Sequence, residues 1–360
     1  MPLKFTRVLI ADERYETAGV FDVNNDGNLD IVSGAYWYEG PDFKKKHRIG
    51  DVQAVSEWFD DFSTIPMDVN GDGWTDFVTG GWWSKTLRWR ENPGPKGGEW
   101  PEHAIAECGN LETAQAWDVD GDGQLEIVPN TPHGPVRFYK LITDSSGKGT
   151  GQFSEHVLHQ GPQGHGLGFG DISGDGRGDF VMQNGWVEAP ADASTGGWVF
   201  HPDFNVGSAS IPIIVADVNG DGMNDLIVGQ AHDYGLDWWE QGRDVAGNRT
   251  WTKHPIDPYN AGFHALQWVD IDGDGECELV TGKRYRAHAG NDPGESDDYG
   301  LYYYKWTGES FCKQVIDYAP VGHGTGCGVF FAIADLRGTG RLDIVAPGKA
   351  GLWAFFNEGP

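Results

Sequence analysis

Four residues able to do chemistry stand at one repeated place in this chain. Glu16, Glu112, His165 and His264 each lie six residues ahead of an acidic Asp/Gly segment. Carboxylate and imidazole donors gathered at one point bind Zn2+ or a similar divalent transition ion and can leave coordination positions open for a substrate. Two alternatives compete with a metal. The four groups could satisfy one another and channel water, or Glu16 and Glu112 could act as the paired carboxyls of a glycoside hydrolase.

The acidic segments suggest a second chemistry. A D-x-[DN]-x-D-G-x-x-[DE] turn sets oxygen donors at alternate positions around a glycine reversal, an arrangement suited to Ca2+. The donors are Asp22, Asn24, Asp26 and Asp30; Asp68, Asn70, Asp72 and Asp76; Asp118, Asp120, Asp122 and Glu126; Asp171, Asp175 and Asp179; Asp217, Asn219, Asp221 and Asp225; and Asp270, Asp272, Asp274 and Glu278. Calcium is therefore expected in up to six turns. Ser173 weakens the fourth, and Arg337 with Thr339 leaves the seventh, from Asp335, without an ion, its guanidinium standing in. The competing view is that these are Gly/Asp turns needing no metal.

Seven such turns start 46, 50, 53, 46, 53 and 65 residues apart, each between two short apolar runs such as those around Ile31-Val32 and Ile344-Val345. A period of this length signals radial repetition. An aromatic third strand follows (Tyr36-Trp37-Tyr38, Trp238-Trp239), then a fourth opening on an aromatic residue (Trp100, Phe153, Trp251). The expected fold is all-β: one domain over residues 1–360, a seven-bladed β-propeller of four-stranded antiparallel blades. The segment around Phe5–Leu9 reads as a fourth strand that closes the last blade.

In such a ring the metal-type turns face one end, and the crossovers and the loops between second and third strands face the other. His165, His264 and His323 lie on crossovers and His133, His232 and His288 in those loops, so all six should meet at one channel mouth. His47, His103, His156 and His254 fall on outer strands and read as surface residues. The mouth loops add Tyr234 and the basic run Lys283-Arg284-Tyr285-Arg286. A His or Tyr there would remove a proton while Lys283 and Arg284 hold the developing negative charge. His133, His288, Arg286 and His323, with Trp82 and Trp83 as stacking surfaces, complete the substrate-binding candidates.

The formal charge of −28 argues against nucleic acid as a partner. The four cysteines lack metal-type spacing and read as reduced thiols. The opening MPLKFTRVLIADE shows neither a signal peptide nor a membrane segment, so a cytoplasmic location is expected, or a secreted one where a leader has been trimmed away. Oligomeric state is not legible.

The repeats resemble the FG-GAP/VCBS propeller family over essentially the whole chain, which implies calcium-supported blades. The segments HGLGFGDISGDG (165–176), AHDYGLDWWEQ (231–241), FHALQWVDIDGDG (263–275) and TGKRYRAHAGNDPG (281–294) are similar to a bacterial and fungal subgroup. Its more distant relatives include the propeller domain of aldos-2-ulose dehydratase, and propeller-type polysaccharide lyases share the architecture. The resemblance implies β-elimination on a keto-sugar or uronate-containing saccharide, with His165, His232, Tyr234, His264, Lys283 and Arg284 as site residues. No cupin-like segment accompanies the repeats here, unlike in aldos-2-ulose dehydratase. The expected function is a metal-assisted carbon–oxygen lyase with Glu112, His165, His264 and Glu16 around the ion. The alternative is a noncatalytic carbohydrate- or protein-binding propeller. Against it, the seven equivalent mouth positions differ: Glu16, Phe62, Glu112, His165, Ile211, His264 and Val329.

Overall fold

A computed structural model describes residues 2–194 and 196–360. Seven four-stranded antiparallel sheets follow one another around a ring, with a single short 3-10 turn at Gly94–Lys96 among the described residues. The second strands, such as Asp30–Ser33, Asp76–Gly80 and Glu278–Gly282, are buried along their whole length. Their adjacent apolar pairs, Ile31-Val32, Phe77-Val78 and Leu279-Val280, suit a strand covered by neighbouring blades on both faces. Fourth strands alternate exposed and half-buried positions, as in Glu102–Glu107.

Seven apolar clusters hold the ring, one at each blade interface. Between blades two and three, for example, Val78, Leu87 and Trp89 pack against Leu111, Ile127 and Tyr139. The last blade orders its strands as Lys4–Ala11, Leu352–Gly359, Asp343–Ala346 and Ala332–Ala334. The N-terminal strand thus covers an edge that would otherwise be free to pair with another chain.

Each acidic turn is built by its own side chains. Asp22 accepts the Asp26 and Gly27 N–H groups, and Gly27 adopts φ 88°, where a side chain is strained. The ninth-position Asp30 accepts Val23 N–H at 2.8 Å and Gly40 N–H at 2.7 Å, tying the turn to the end of the third strand.

At the opposite end two insertions meet across the face. The hairpin Ala54–Val55/Trp58–Phe59 precedes blade two. The long loop 283–298 joins the second and third strands of blade six. Trp58 Nε1 donates to Ala287 O at 2.9 Å, and Arg286 forks onto Glu57 at 3.0 and 3.1 Å.

Candidate metal centre

Glu112 lies just ahead of the first strand of blade three, Thr113–Trp117, and His165 and His264 precede the first strands of blades four and six at the same offset from the acidic turn, so the ring symmetry gives them a common height and radius. His232 joins them from the loop after Asp225–Gly229. One donor atom from each of the four lies within 4.8 Å of the others. Glu112 Oε2 is 3.6 Å from His165 Nε2 and 3.7 Å from His264 Nε2, and the two Nε2 atoms of His165 and His232 are 3.0 Å apart. Donors about 2.05 Å from a tetrahedral Zn2+ would be separated by about 3.3 Å.

The hydrogen bonds fix which nitrogens face inward. His165 Nδ1 donates to Ala209 O at 2.7 Å, and His232 Nδ1 donates to Asp292 Oδ2 at 2.8 Å. Both rings in their neutral form therefore present Nε2 lone pairs to each other, a repulsive arrangement that a shared cation relieves. His264 is fully buried, and neither ring nitrogen has a hydrogen-bond partner. An orphaned buried imidazole beside a carboxylate fits a metal-ligand set.

Electrostatics favour ligating forms. Burial, then the Arg284 guanidinium, lower His264 to about 4, and burial with His165 lowers His232, so both stay neutral at pH 7. Burial alone would raise Glu112, but His165 and His264 outweigh it and hold the carboxyl well below its ordinary range.

Glu16, expected as a fourth ligand, does not join the cluster. Its carboxylate is bidentate with Arg284 at 3.1 and 3.3 Å, and Lys349 stands 3.9 Å away. Arg284, expected to hold developing charge, is itself buried on Glu16. Lys283 is buried, its ammonium capped by the Gly294 and Ala261 carbonyls, so it too is spent on structure. Tyr234 is exposed and donates to Asp297 at 2.7 Å, and that hydrogen bond raises its pKa, which does not suit a base. Glu16 and Glu112 are both held below the ordinary glutamate range, so neither is the protonated general acid that glycoside hydrolysis needs.

Of the six mouth histidines, four come together. His288 stacks on His232 at 4.2 Å and shares Asp292 with it, Nδ1 donating at 3.0 Å. His133 and His323 are exposed and stand outside the group. Trp82 and Trp83 pack against the core between blades two and three. Arg286 lines a groove of about 570 Å3 on the same face, with Arg14, Lys349, Tyr285 and Trp353. Lys349 and Asp292 were not singled out from the sequence. Lys349 lies in blade seven's loop between second and third strands, the loop class that supplied His232 and His288; Asp292 stands four residues after His288.

The outer-strand histidines have a defined role. His47, His103, His201 and His254 stack on Trp37, Trp89, Trp186 and Trp238 and each meets a glutamate at 2.7–2.9 Å.

The turns divide in their fit to calcium. In blades one, two and five the ninth-position Asp30, Asp76 and Asp225 are buried without a counter-cation, and burial raises them to about 6, 7 and 6. A divalent ion would neutralise these carboxyls, so the donor set fits. In blades three and six a lysine already lies on the donors. In blade seven Arg337 sits on Asp343 at 3.1 Å.

Residues 68–128 and 194–281 match the FG-GAP-like repeat family. Those two segments therefore carry FG-GAP-like repeats. No curated protein matches it. Among solved structures, BBS1N in complex with ARL6DN aligns with 99% of the chain and 96% of its own, at 11% identity and a TM-score of 0.54. Rhamnogalacturonan lyase YesW aligns over 99% and 73% at 13% identity and a TM-score of 0.49. The V. cholerae biofilm matrix protein Bap1 aligns over 97% and 89% at 10% identity and 0.48. At such identities the BBS1N likeness shows the propeller fold of this chain and nothing of its chemistry. No helix among the described residues is long and apolar enough to cross a membrane.

Proposed function

We propose that the channel mouth binds a divalent transition ion through Glu112, His165, His232 and His264 and that the chain is a carbon–oxygen lyase acting on an acidic saccharide. The observation that carries this reading is the convergence of three imidazoles and one carboxylate with two Nε2 atoms facing each other at 3.0 Å. When bound, the ion would supply Lewis acidity to a carbonyl or carboxylate oxygen. The groove of about 570 Å3 on the same face offers Arg14 to an anionic group and Trp353 and Tyr285 to a sugar face. Arg14 makes no ion pair among the described residues, so it is free to bind one.

His288 is the base in this reading. Asp292 holds its Nδ1, and the ring is half exposed, which leaves Nε2 open to a substrate. It takes the proton α to the carboxylate, the C–H electron pair becomes a C=C bond as the β C–O bond breaks, and solvent returns a proton to the leaving oxygen. His165→Ala and His264→Ala should lose bound Zn2+ or Co2+ and the ultraviolet-absorbing unsaturated product. His288→Ala should keep the metal and lose the product. Full activity in both ligand variants rejects the assignment.

One observation favours a second reading. Four protein donors already complete a tetrahedron, as around a structural ion, and that suits a noncatalytic saccharide-binding propeller. Metal retained with sugar bound and never converted, across uronate and keto-sugar substrates, would decide for it.

A further inference from the structure

The third strands carry a charge pattern that separates the seven turns. One residue beyond the partners of Ile31, Phe77, Ile127, Phe180, Leu226, Leu279 and Ile344 come Glu39, Glu91, Lys140, Glu188, Glu240, Lys305 and Phe356. Wherever this residue is glutamate, the third turn position is Asn24, Asn70, Ser173 or Asn219, and the glutamate is taken by an outer-strand histidine. Wherever it is lysine, the third position is an aspartate, Asp120 or Asp272. The extra carboxylate arrives together with an ammonium that offsets it.

The lysines lie on the donors themselves. Lys140 Nζ is 2.5 Å from Asp120, 2.6 Å from Asp122 and 3.3 Å from Glu126. Lys305 Nζ contacts Asp272 and is 2.5 Å from Asp274 and 3.1 Å from Glu278. Asp118, Asp120 and Asp122, and Asp270, Asp272 and Glu278, stand close enough to share one ion. Calcium would need oxygens of the same carboxylates at about 2.3–2.6 Å, within a few ångströms of an ammonium already bound to three of them, and the two cations would repel.

We infer that Lys140 and Lys305 are resident counter-ions, so that the turns of blades three and six are metal-independent and the chain takes calcium in four turns at most, those of blades one, two, four and five. This is independent of any activity at the channel mouth, where nitrogen donors disfavour calcium.

Equilibrium dialysis of the full chain against 45Ca2+, after chelator treatment, tests it. Wild type should bind no more than four equivalents, and Lys140→Gln/Lys305→Gln should bind two more than wild type. A second variant guards against misfolding: Asp120→Asn/Lys140→Glu gives blade three the third-position and third-strand residues of blade one and should add one equivalent. Six equivalents in wild type, or folded variants with an unchanged count, overturn the inference.

Discussion

Replacing Asp292 by alanine gives the sharpest test of the channel-mouth centre, because Asp292 touches no donor atom that would face the ion. Its carboxylate accepts from His232 Nδ1 at 2.8 Å in a largely buried setting and from His288 Nδ1 at 3.0 Å. The first bond selects the His232 tautomer whose Nε2 points into the cluster. A hydrogen bond to a charged group contributes about 1.5–3 kcal/mol, or about 10- to 150-fold in an equilibrium constant. Partners that orient metal-binding histidines change affinity by about 10- to 100-fold, in agreement. Asp292→Ala should therefore weaken Zn2+ binding about 10- to 100-fold in competition with a chromophoric chelator at fixed pH. Asp292→Asn should fall between, since its amide oxygen still accepts. Because Asp292 belongs to an insertion outside the blade strands, the melting temperature of the metal-free protein should barely move. An Asp292→Ala affinity within about twofold of wild type would refute the proposed orientation of His232.

Three further outcomes are expected. Glu16→Gln strands the buried Arg284 and should cost about 3–5 kcal/mol in chemical denaturation, with much of it regained in Glu16→Gln/Arg284→Met. Burial pushes Glu16 upward but Arg284 and Lys349 outweigh it, so its folded pKa is below the ordinary 4.5; its stabilisation is present above pH 4.5 and lost as pH falls through the lower folded value, and Glu16→Gln should flatten the acid limb of the stability profile there. Trp58→Phe removes the indole donor to Ala287 O and should speed proteolysis within 283–298 while leaving global unfolding within about 1 kcal/mol, by limited digestion and denaturant titration.

The blade count was legible because the glycine reversal and its flanking carboxylates recur at every innermost turn, and a turn built by local backbone geometry reads locally. The position six residues before each turn was legible for the same reason: seven-fold pseudo-symmetry converts equal sequence offsets into equal height and radius. That is why Glu112, His165 and His264, from blades three, four and six, could be grouped with no knowledge of side-chain contacts. Symmetry says nothing, however, about what else reaches a given radius. Glu16 occupies an equivalent position, yet Arg284 arrives 268 residues later in sequence on a loop with no counterpart in other blades and captures it.

The same limit explains His232 and the lysines. His232 shares its offset from the acidic turn with the exposed His133, and what sets its inward pose apart is Asp292 in another blade's insertion. Lys140 and Lys305 are visible as basic residues, but their meaning lies in register: only when Ile127 faces Tyr139 and Leu279 faces Tyr304 does the next side chain lie over the turn. Blades three and six, which carry these lysines, also carry Glu112, His264 and Asp292. Chelating calcium should then loosen the turns of blades one, two and five before those of blades three and six. Hydrogen exchange would show this as earlier deprotection at Gly27, Gly73 and Gly222 than at Gly123 and Gly275. Equal deprotection in all five turns would mean that the lysines do not replace the ion.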